Sequence, residues 1–278
     1  MAQTARAIKR GLLYLLPSKL RQGTVNRWPN LRKSMPEGLE FVYDRYLGDV
    51  RVNINTRFKV ERIMWSDGFE PALIRLLERS ARSDWVTLDV GANVGAVTLA
   101  LARFTSPGGI VHAFEPGPPN LQRLRANLAL NPTLATCVTV HEAGVGETAG
   151  ELRWQEEAGN PGNAMLGTDG SHTVPVITLD DFAARQRLTR LDFIKVDVEG
   201  MELSVFRGAR QTLRRLRPVI YFETLSRFGD EHGSKNFAMI EQLLTGECEY
   251  RLHRLDRDGG LHPVNGSAFA DYTVAVPV

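Results

Sequence analysis

Two stretches of the 278-residue chain gather residue types able to do chemistry. In the first, Leu88-Asp89-Val90-Gly91-Ala92-Asn93-Val94-Gly95, an apolar run turns through glycines into an apolar helix, and Glu115 follows in Phe114-Glu115-Pro116. Small residues where a strand enters a helix let a ligand approach the backbone, and an acid ending the next strand can accept hydrogen bonds from ribose hydroxyls. In the second, Val196-Asp197-Val198-Glu199-Gly200, two acids close one apolar run, and Glu223 closes the next in Tyr221-Phe222-Glu223-Thr224. Three carboxylates at one rim can raise each other's pKa and leave one as a base near neutrality. They can also hold Mg²⁺ through oxygen, although this spacing does not define a metal site and Mg²⁺ is not the favoured reading.

A glycine loop followed by an acid suits a dinucleotide or an adenosyl cofactor alike. The departure from G-x-G-x-x-G separates them, because the second glycine of that pattern lets the backbone reach a pyrophosphate. Asn93 stands at that position, and its side chain intrudes. S-adenosylmethionine has no phosphate. Its amino-acid end is a zwitterion, whose ammonium Asp89 can bind and whose carboxylate the Asn93 side chain and loop backbone can meet. The bland alternative is a tight turn that needs only small residues.

The elements that must position these residues are strands and helices in alternation. From Trp85 onward, WVTLDVG reads as a buried strand, Val94 to Phe104 as an apolar helix, GIVHAFEP as a strand, and Pro119 to Leu130 as a helix closed by Asn131-Pro132. CVTVHEAGVG is a third strand, and roughly 147–172 is a looser segment with few apolar anchors. FIKVDVEG is the fourth strand, Glu202 to Leu216 a helix, and PVIYFET the fifth strand. Such alternation implies a doubly wound, mostly parallel sheet. CEYRLHRLD and DYTVAVPV, joined without room for a helix, read as an antiparallel pair at the sheet edge. Strand alternation places Asp197 and Glu199 on one side. Residues 39–65 read as a β-hairpin turning near Leu47-Gly48-Asp49, followed by a helix over roughly Glu70 to Ser80.

Composition bounds the rest. With 43% apolar and 24% charged residues the chain is ordinary globular material, enough for one α/β domain and a small appendage. A net charge of +2 does not point to nucleic acid. The Asn/Asp-Pro-Pro-aromatic tetrapeptide that stacks a flipped base is absent as well. Two cysteines, Cys137 and Cys248, form no disulfide framework, so a reducing cytoplasm is the expected location. The start has a basic stretch but an apolar run of only Leu12 to Leu16, a poor signal peptide. Residues 1–35 carry eight basic residues and no acid. They read as a solvated arm that packs on the domain or on a second subunit, which makes a homodimer an option. The sharper alternative is peripheral attachment to an anionic membrane surface.

Taken together, LDVGANVGAVTLALA, GGIVHAFEPGPPNLQRLRANLALN and LDFIKVDVEGMELSVFRGARQTL followed by RPVIYFET resemble the FkbM-type methyltransferases. The resemblance covers about Met64 to Val278, and the sequence divides into 1–62, a basic arm with a hairpin, and 63–278, a methyltransferase domain. It implies a class I, Rossmann-like methyltransferase with a seven-stranded sheet whose last strand is antiparallel. It implies O-methylation of a sugar, glycan, polyketide or related small molecule. By position, Asp89, Gly91, Asn93, Gly95 and Glu115 are then the cofactor contacts, and the loop around Asn160, Gly162 and Asn163 lies near the site.

A hydroxyl acceptor holds its proton tightly and needs a base within hydrogen-bond reach. Asp197, Glu199 and Glu223 are the candidate bases, with Asp197 also facing the cofactor. Glu199 has the competing role of capping the next helix. His232, in the Gly-bracketed segment FGDEHGS, could cover the acceptor pocket as a further base or be a plain surface histidine. His112 and His141 read as structural. The alternatives to O-methylation are N-methylation of a small molecule, which needs less base assistance, and a non-catalytic cofactor-binding module that uses its basic arm.

Overall fold

The computed structural model describes residues 38–66, 68–157, 160–167, 172–224, 230–264 and 272–278, with backbone alone described for 155–157, 160–167 and 230–234. The basic arm at 1–35 lies outside the described residues. The chain divides into two compact units, Met1–Glu70 and Pro71–Val278.

In the first unit, β1 (Glu40–Tyr46) pairs antiparallel with β2 (Val50–Asn55). The expected turn lies between them, where Leu47 and Gly48 both take positive φ. The hairpin stops at Asn55 rather than running through the whole 39–65 span, because Lys59–Ser66 forms a helix, α1. The Glu61 carboxylate of α1 accepts from the Asn55 amide and closes the strand. Tyr43, Val52 and Ile54 are buried in this unit, as are Met64 and Trp65.

The second unit opens with α2 (Pro71–Ser80), with proline at its first turn as expected. Its main sheet is built from β3 (Val86–Val90), β4 (Ile110–Phe114), β5 (Val138–His141), β10 (Phe193–Val196), β11 (Val219–Glu223), β12 (Tyr250–Leu255), β13 (Leu261–Pro263) and β14 (Tyr272–Pro277). The order is β13-β12-β14-β11-β10-β3-β4-β5. β5, β4, β3, β10 and β11 are parallel neighbours. The final strand, β14, runs antiparallel to both β11 and β12. The seven-stranded sheet with a reversed last strand is therefore present, and β13 adds a short eighth strand at the edge. From β3 the chain winds outward to β4 and β5, then returns to lay β10 and β11 on the other side. The switch between β3 and β10 is where open α/β sheets bind ligands, at the carboxyl ends of the strands.

One face of this sheet is apolar. Leu88, Val90, Ile194, Val196, Ile220 and Phe222 pack there with residues of α6 (Leu179–Arg185), α7 (Glu202–Arg207), α8 (Arg210–Leu216) and α9 (Asp230–Glu241), the last continuing into a π-helical turn at Gln242–Glu247. Burying each such large side chain contributes about 1.5–3 kcal/mol. α3 (Ala96–Thr105) follows β3, and α4 (Pro118–Ala129) and the short α5 (Pro132–Ala135) follow β4. Among the described residues no helix is long and apolar enough to cross a membrane.

Three further expectations change. CVTVHEAGVG is two strands rather than one, since β5 ends at His141 and β6 (Gly144–Val145) joins a second sheet. The described residues of 147–172 are mostly strand rather than loose. β7 (Gly150–Glu157), β8 (Asn160–Gly167) and β9 (His172–Ile177) complete that second sheet in the order β6-β9-β7-β8. The helix expected from Glu202 to Leu216 is broken into α7 and α8 at Gly208, where a Cβ would lie 2.0 Å from the Gly146 carbonyl oxygen. A distant backbone passes too close there for any side chain.

Candidate active site

The register of the parallel strands assembles the site. Asp89 pairs with Ala113 on β4 and with Lys195 on β10, and Lys195 pairs with Tyr221 on β11. Side chains two apart share a face. Glu115, Asp89, Lys195, Asp197 and Glu223 therefore come to one side at adjacent strand ends, opposite the apolar core.

The turn from β3 into α3 is anchored at both ends. The Gly91 and Ala92 amides donate to the Phe114 carbonyl at 3.0 and 2.9 Å. Gly91, Asn93 and Gly95 all have positive φ, at 81°, 52° and 90°, a region that glycine enters freely and asparagine tolerates. A Cβ on Gly91 would lie 1.9 Å from the Asp197 carbonyl oxygen, and one on Gly95 would lie 2.5 Å from the Leu124 side chain. Glycine is needed at both positions for close approach as well as for conformation.

Glu115 is buried among donors. The Asn93 amide donates to Oε2 at 2.7 Å, and the Gly117 amide and the Asn120 side chain donate to Oε1 at 2.8 and 3.4 Å. Burial still raises its carboxyl above the ordinary glutamate range, against the pull of these donors and of Lys195. Sequence reasoning missed two neighbours. Asn120, in the first turn of α4, has its Oδ1 buried without a hydrogen-bond partner. Trp154 on β7 lies over the Gly117 turn, with its Nε1 2.7 Å from where a Gly117 Cβ would stand. Asn120 could have been read from its place after FEPGPP; Trp154 could not, because its strand was not recognised.

Asp89 is fully buried. The Thr98 hydroxyl donates to its Oδ2 at 2.6 Å, while Oδ1 has no hydrogen-bond partner and faces Lys195 Nζ at 3.5 Å. Lys195 also lies 3.4 Å from Asp197 Oδ2 and donates to the Gly91 carbonyl at 2.7 Å. This lysine was not singled out from the sequence, although a charge inside the apolar run FIKV was a visible signal.

The acids gather as expected, but partly by another route. β10 ends at Val196 and Glu199 takes φ 58°, so the alternation expected to align it with Asp197 does not extend to it. Glu199 joins the cluster through the turn, where its charge acts on Glu223. Met201 stands at the N-cap of the following helix with no side-chain cap hydrogen bond, and Glu202 in its first turn accepts from the Val198 and Gly200 amides at 3.0 and 3.2 Å. Burial, Asp197, Glu199 and Glu202 together push the Glu223 carboxyl up to about 9, with Asp197 also hydrogen-bonded to it. Burial likewise raises the Glu202 carboxyl.

The histidines divide. His232 lies on the first turn of α9 rather than in a loop, and its side chain is outside the described residues. The side chains of Asn160 and Asn163 are outside them too, and residues 160–167 form β8 instead of a loop. His112 and His141 sit 3.1 Å apart, Nδ1 to Nε2, in an aromatic cluster with Phe114 and Phe182. Burial and the neighbouring ring push His112 down to about 4.

Known proteins resemble this chain over the same elements. The curated hexuronic acid methyltransferase AglP of Haloferax volcanii is 33% identical over 153 residues, covering 54% of this chain and 61% of that protein. The 31-O-demethyl-FK506 methyltransferase FkbM of Streptomyces tacrolimicus is 29% identical over 166 residues, covering 49% and 64%. The chain thus spans less than two thirds of the length of these relatives. A solved structure of a methyltransferase FkbM from Methylobacillus flagellatus aligns over 78% of this chain and 52% of that one, with 22% identity and a TM-score of 0.48. The methyltransferase FkbM domain model matches residues 89–252, from the acid before the glycine loop to the penultimate strand of the seven, and on that match the chain belongs to the FkbM methyltransferase family.

Proposed function

We propose that this protein transfers a methyl group from S-adenosylmethionine to a hydroxyl of a sugar, glycan or polyketide-type small molecule. The observation that carries the reading is the shared strand-end face, where a glycine loop, a buried ribose-type acid and an acid cluster meet at the β3–β10 switch. The residues suit an adenosyl ligand. Two buried oxygens, Asp89 Oδ1 beside the loop and Asn120 Oδ1 beside Glu115, have no hydrogen-bond partner. One suits an ammonium and the other a ribose hydroxyl. Gly91, Asn93 and Gly95 shape the loop between them.

When bound, S-adenosylmethionine supplies a sulfonium-activated methyl group open to in-line attack. The chain's tasks are then to align the acceptor, exclude water and take its proton. Asp197 suits the last task. It lies beside a cation, its side chain is 18% exposed, and it borders Glu223. A Glu223 carboxyl held at about 9 keeps its proton at neutral pH, so it acts as a hydrogen-bond donor that orients Asp197. Glu199 and His232 remain secondary candidates for the base.

The test is transfer of labelled methyl from S-adenosylmethionine to panels of hexuronic acids, other sugars and polyketide alcohols, by wild type and Asp197→Asn. The reading expects an oxygen-methylated product and a loss of about 10²–10⁴ in turnover for the variant. Methylated amines formed equally well by the variant would favour N-methylation instead. No transfer to any class would count against catalysis.

A further inference from the structure

Lys195 is a cation inside an apolar strand, with 4% of its side chain exposed. A buried ammonium persists only where it is paired and hydrogen-bonded. Its contacts join three pieces of the site that are far apart in sequence. Nζ donates to the Gly91 carbonyl at 2.7 Å, inside the glycine loop. It stands 3.5 Å from Asp89 Oδ1 at the end of β3 and 3.4 Å from Asp197 Oδ2 past the end of β10. Its charge also reaches Glu115, the acid ending β4. Gly91 is the residue whose Cα has no room for a side chain against the Asp197 carbonyl, so loop and acid already touch through the backbone there.

Building on the methyl-transfer reading, we propose that Lys195 is a positioning residue of that site, tying the glycine loop to Asp89 and Asp197 and so holding Asp197 where it can serve as the base. An ammonium this close favours the charged carboxylate over the neutral acid. The other acids of the cluster are Glu199 in the turn after β10 and Glu202 on α7, whose charges, with that of Asp197, act on Glu223 at the end of β11. Without Lys195 the Gly91 carbonyl, Asp89 Oδ1 and Asp197 Oδ2 lose a single group that reaches all three. Lys195 touches neither acceptor nor methyl group in this scheme. It acts through the loop and through Asp197.

The experiment uses the whole chain and needs no acceptor. Affinity for S-adenosylmethionine is measured by titration calorimetry from pH 5 to pH 9 for wild type, Lys195→Met and Lys195→Arg. Hydrogen exchange of the amides at 91–95 is followed in parallel. In Lys195→Met, affinity should fall about tenfold or more, and the pH at which it weakens on the acid side should rise by about one unit or more. Exchange at 91–95 should quicken relative to Leu88 and Ile194. Lys195→Arg keeps the charge, so its acid-side inflection should stay near that of wild type while its loop exchange quickens. A well-folded Lys195→Met with unchanged inflection and unchanged loop exchange overturns the proposal. If Lys195→Met does not fold, an Arg variant whose inflection moves with its loop exchange unaltered overturns it equally. Failure of wild type to bind S-adenosylmethionine at all would instead refute the methyl-transfer reading beneath it.

Discussion

Replacing Gly91 by alanine tests the geometry of the site with a single methyl group. Its Cβ would stand 1.9 Å from the Asp197 carbonyl oxygen and 3.0 Å from the carbonyl carbon. Ordinary contact begins near 3.4 Å, so one backbone must retreat by roughly 1.5 Å, and each follows directly on one of two adjacent central strands. At φ 81° the new side chain also meets left-handed strain, about 1–2 kcal/mol. Overpacking adds about 1–3 kcal/mol, for a total of roughly 2–5 kcal/mol. At about 2–4 °C per kcal/mol for a domain of this size, the melting temperature should drop by roughly 4–20 °C. Differential scanning calorimetry on the full chain reads this directly. Gly246→Ala is the control, since nothing lies within 4 Å of its added Cβ; it should melt within about 2 °C of wild type. Because Asp197 is the backbone displaced, S-adenosylhomocysteine affinity should fall with stability. A Gly91→Ala protein with wild-type melting and wild-type affinity would refute the close approach.

Three further predictions rest on named contacts. A Glu223 carboxyl held at about 9 in the folded chain, against 4.5 ordinarily, binds its proton more tightly when folded. Its stabilising contribution is therefore complete below about pH 4.5 and disappears as pH rises through 9; urea unfolding at pH 5–9 should show Glu223→Gln with the flatter profile, and parallel profiles would count against the shift. His112, pushed from 6.5 to about 4, contributes stability above pH 6.5 that is lost as pH falls through 4. Proton NMR should place its titration near 4, and a midpoint near 6.5 would show that it is not desolvated. Gly117→Ala carries no backbone strain at φ −77° but brings a methyl within 2.7 Å of Trp154 Nε1 and 2.9 Å of Glu115 Oε1. It should shift tryptophan emission and weaken S-adenosylhomocysteine binding about tenfold, and normal emission with normal affinity would dismiss Trp154 as a wall of the ribose site.

Much of the main sheet could be read from the sequence because parallel strands are buried on both faces. β3, β4, β10 and β11 stand out as short apolar runs, each closed by an acid or a glycine. The glycine loop was legible because positive φ at every second position, Gly91, Asn93 and Gly95, leaves few residue types there. What escaped was set by distance in the chain. β7 and β8 lie in a Gly- and Asn-containing stretch with few apolar anchors, and β7 also pairs with β9 further along. The break at Gly208 answers to Gly146, which no local pattern reveals. Lys195 was plainly visible as a charge in an apolar strand, yet its meaning depends on the register that sets it opposite Asp89. The alternation rule failed at Glu199 because the strand had already ended and the chain had turned to positive φ.

On this reading the loop Gly91–Gly95 and Glu115 hold an adenosyl ligand. Titration calorimetry of the whole chain with S-adenosylmethionine, S-adenosylhomocysteine and NAD⁺, repeated with Glu115→Ala, tests it. Both adenosyl ligands should bind, NAD⁺ should give no signal, and the variant, still folded, should lose both. Well-folded wild-type protein that ignores both adenosyl ligands, or that binds NAD⁺ in their place, would contradict it.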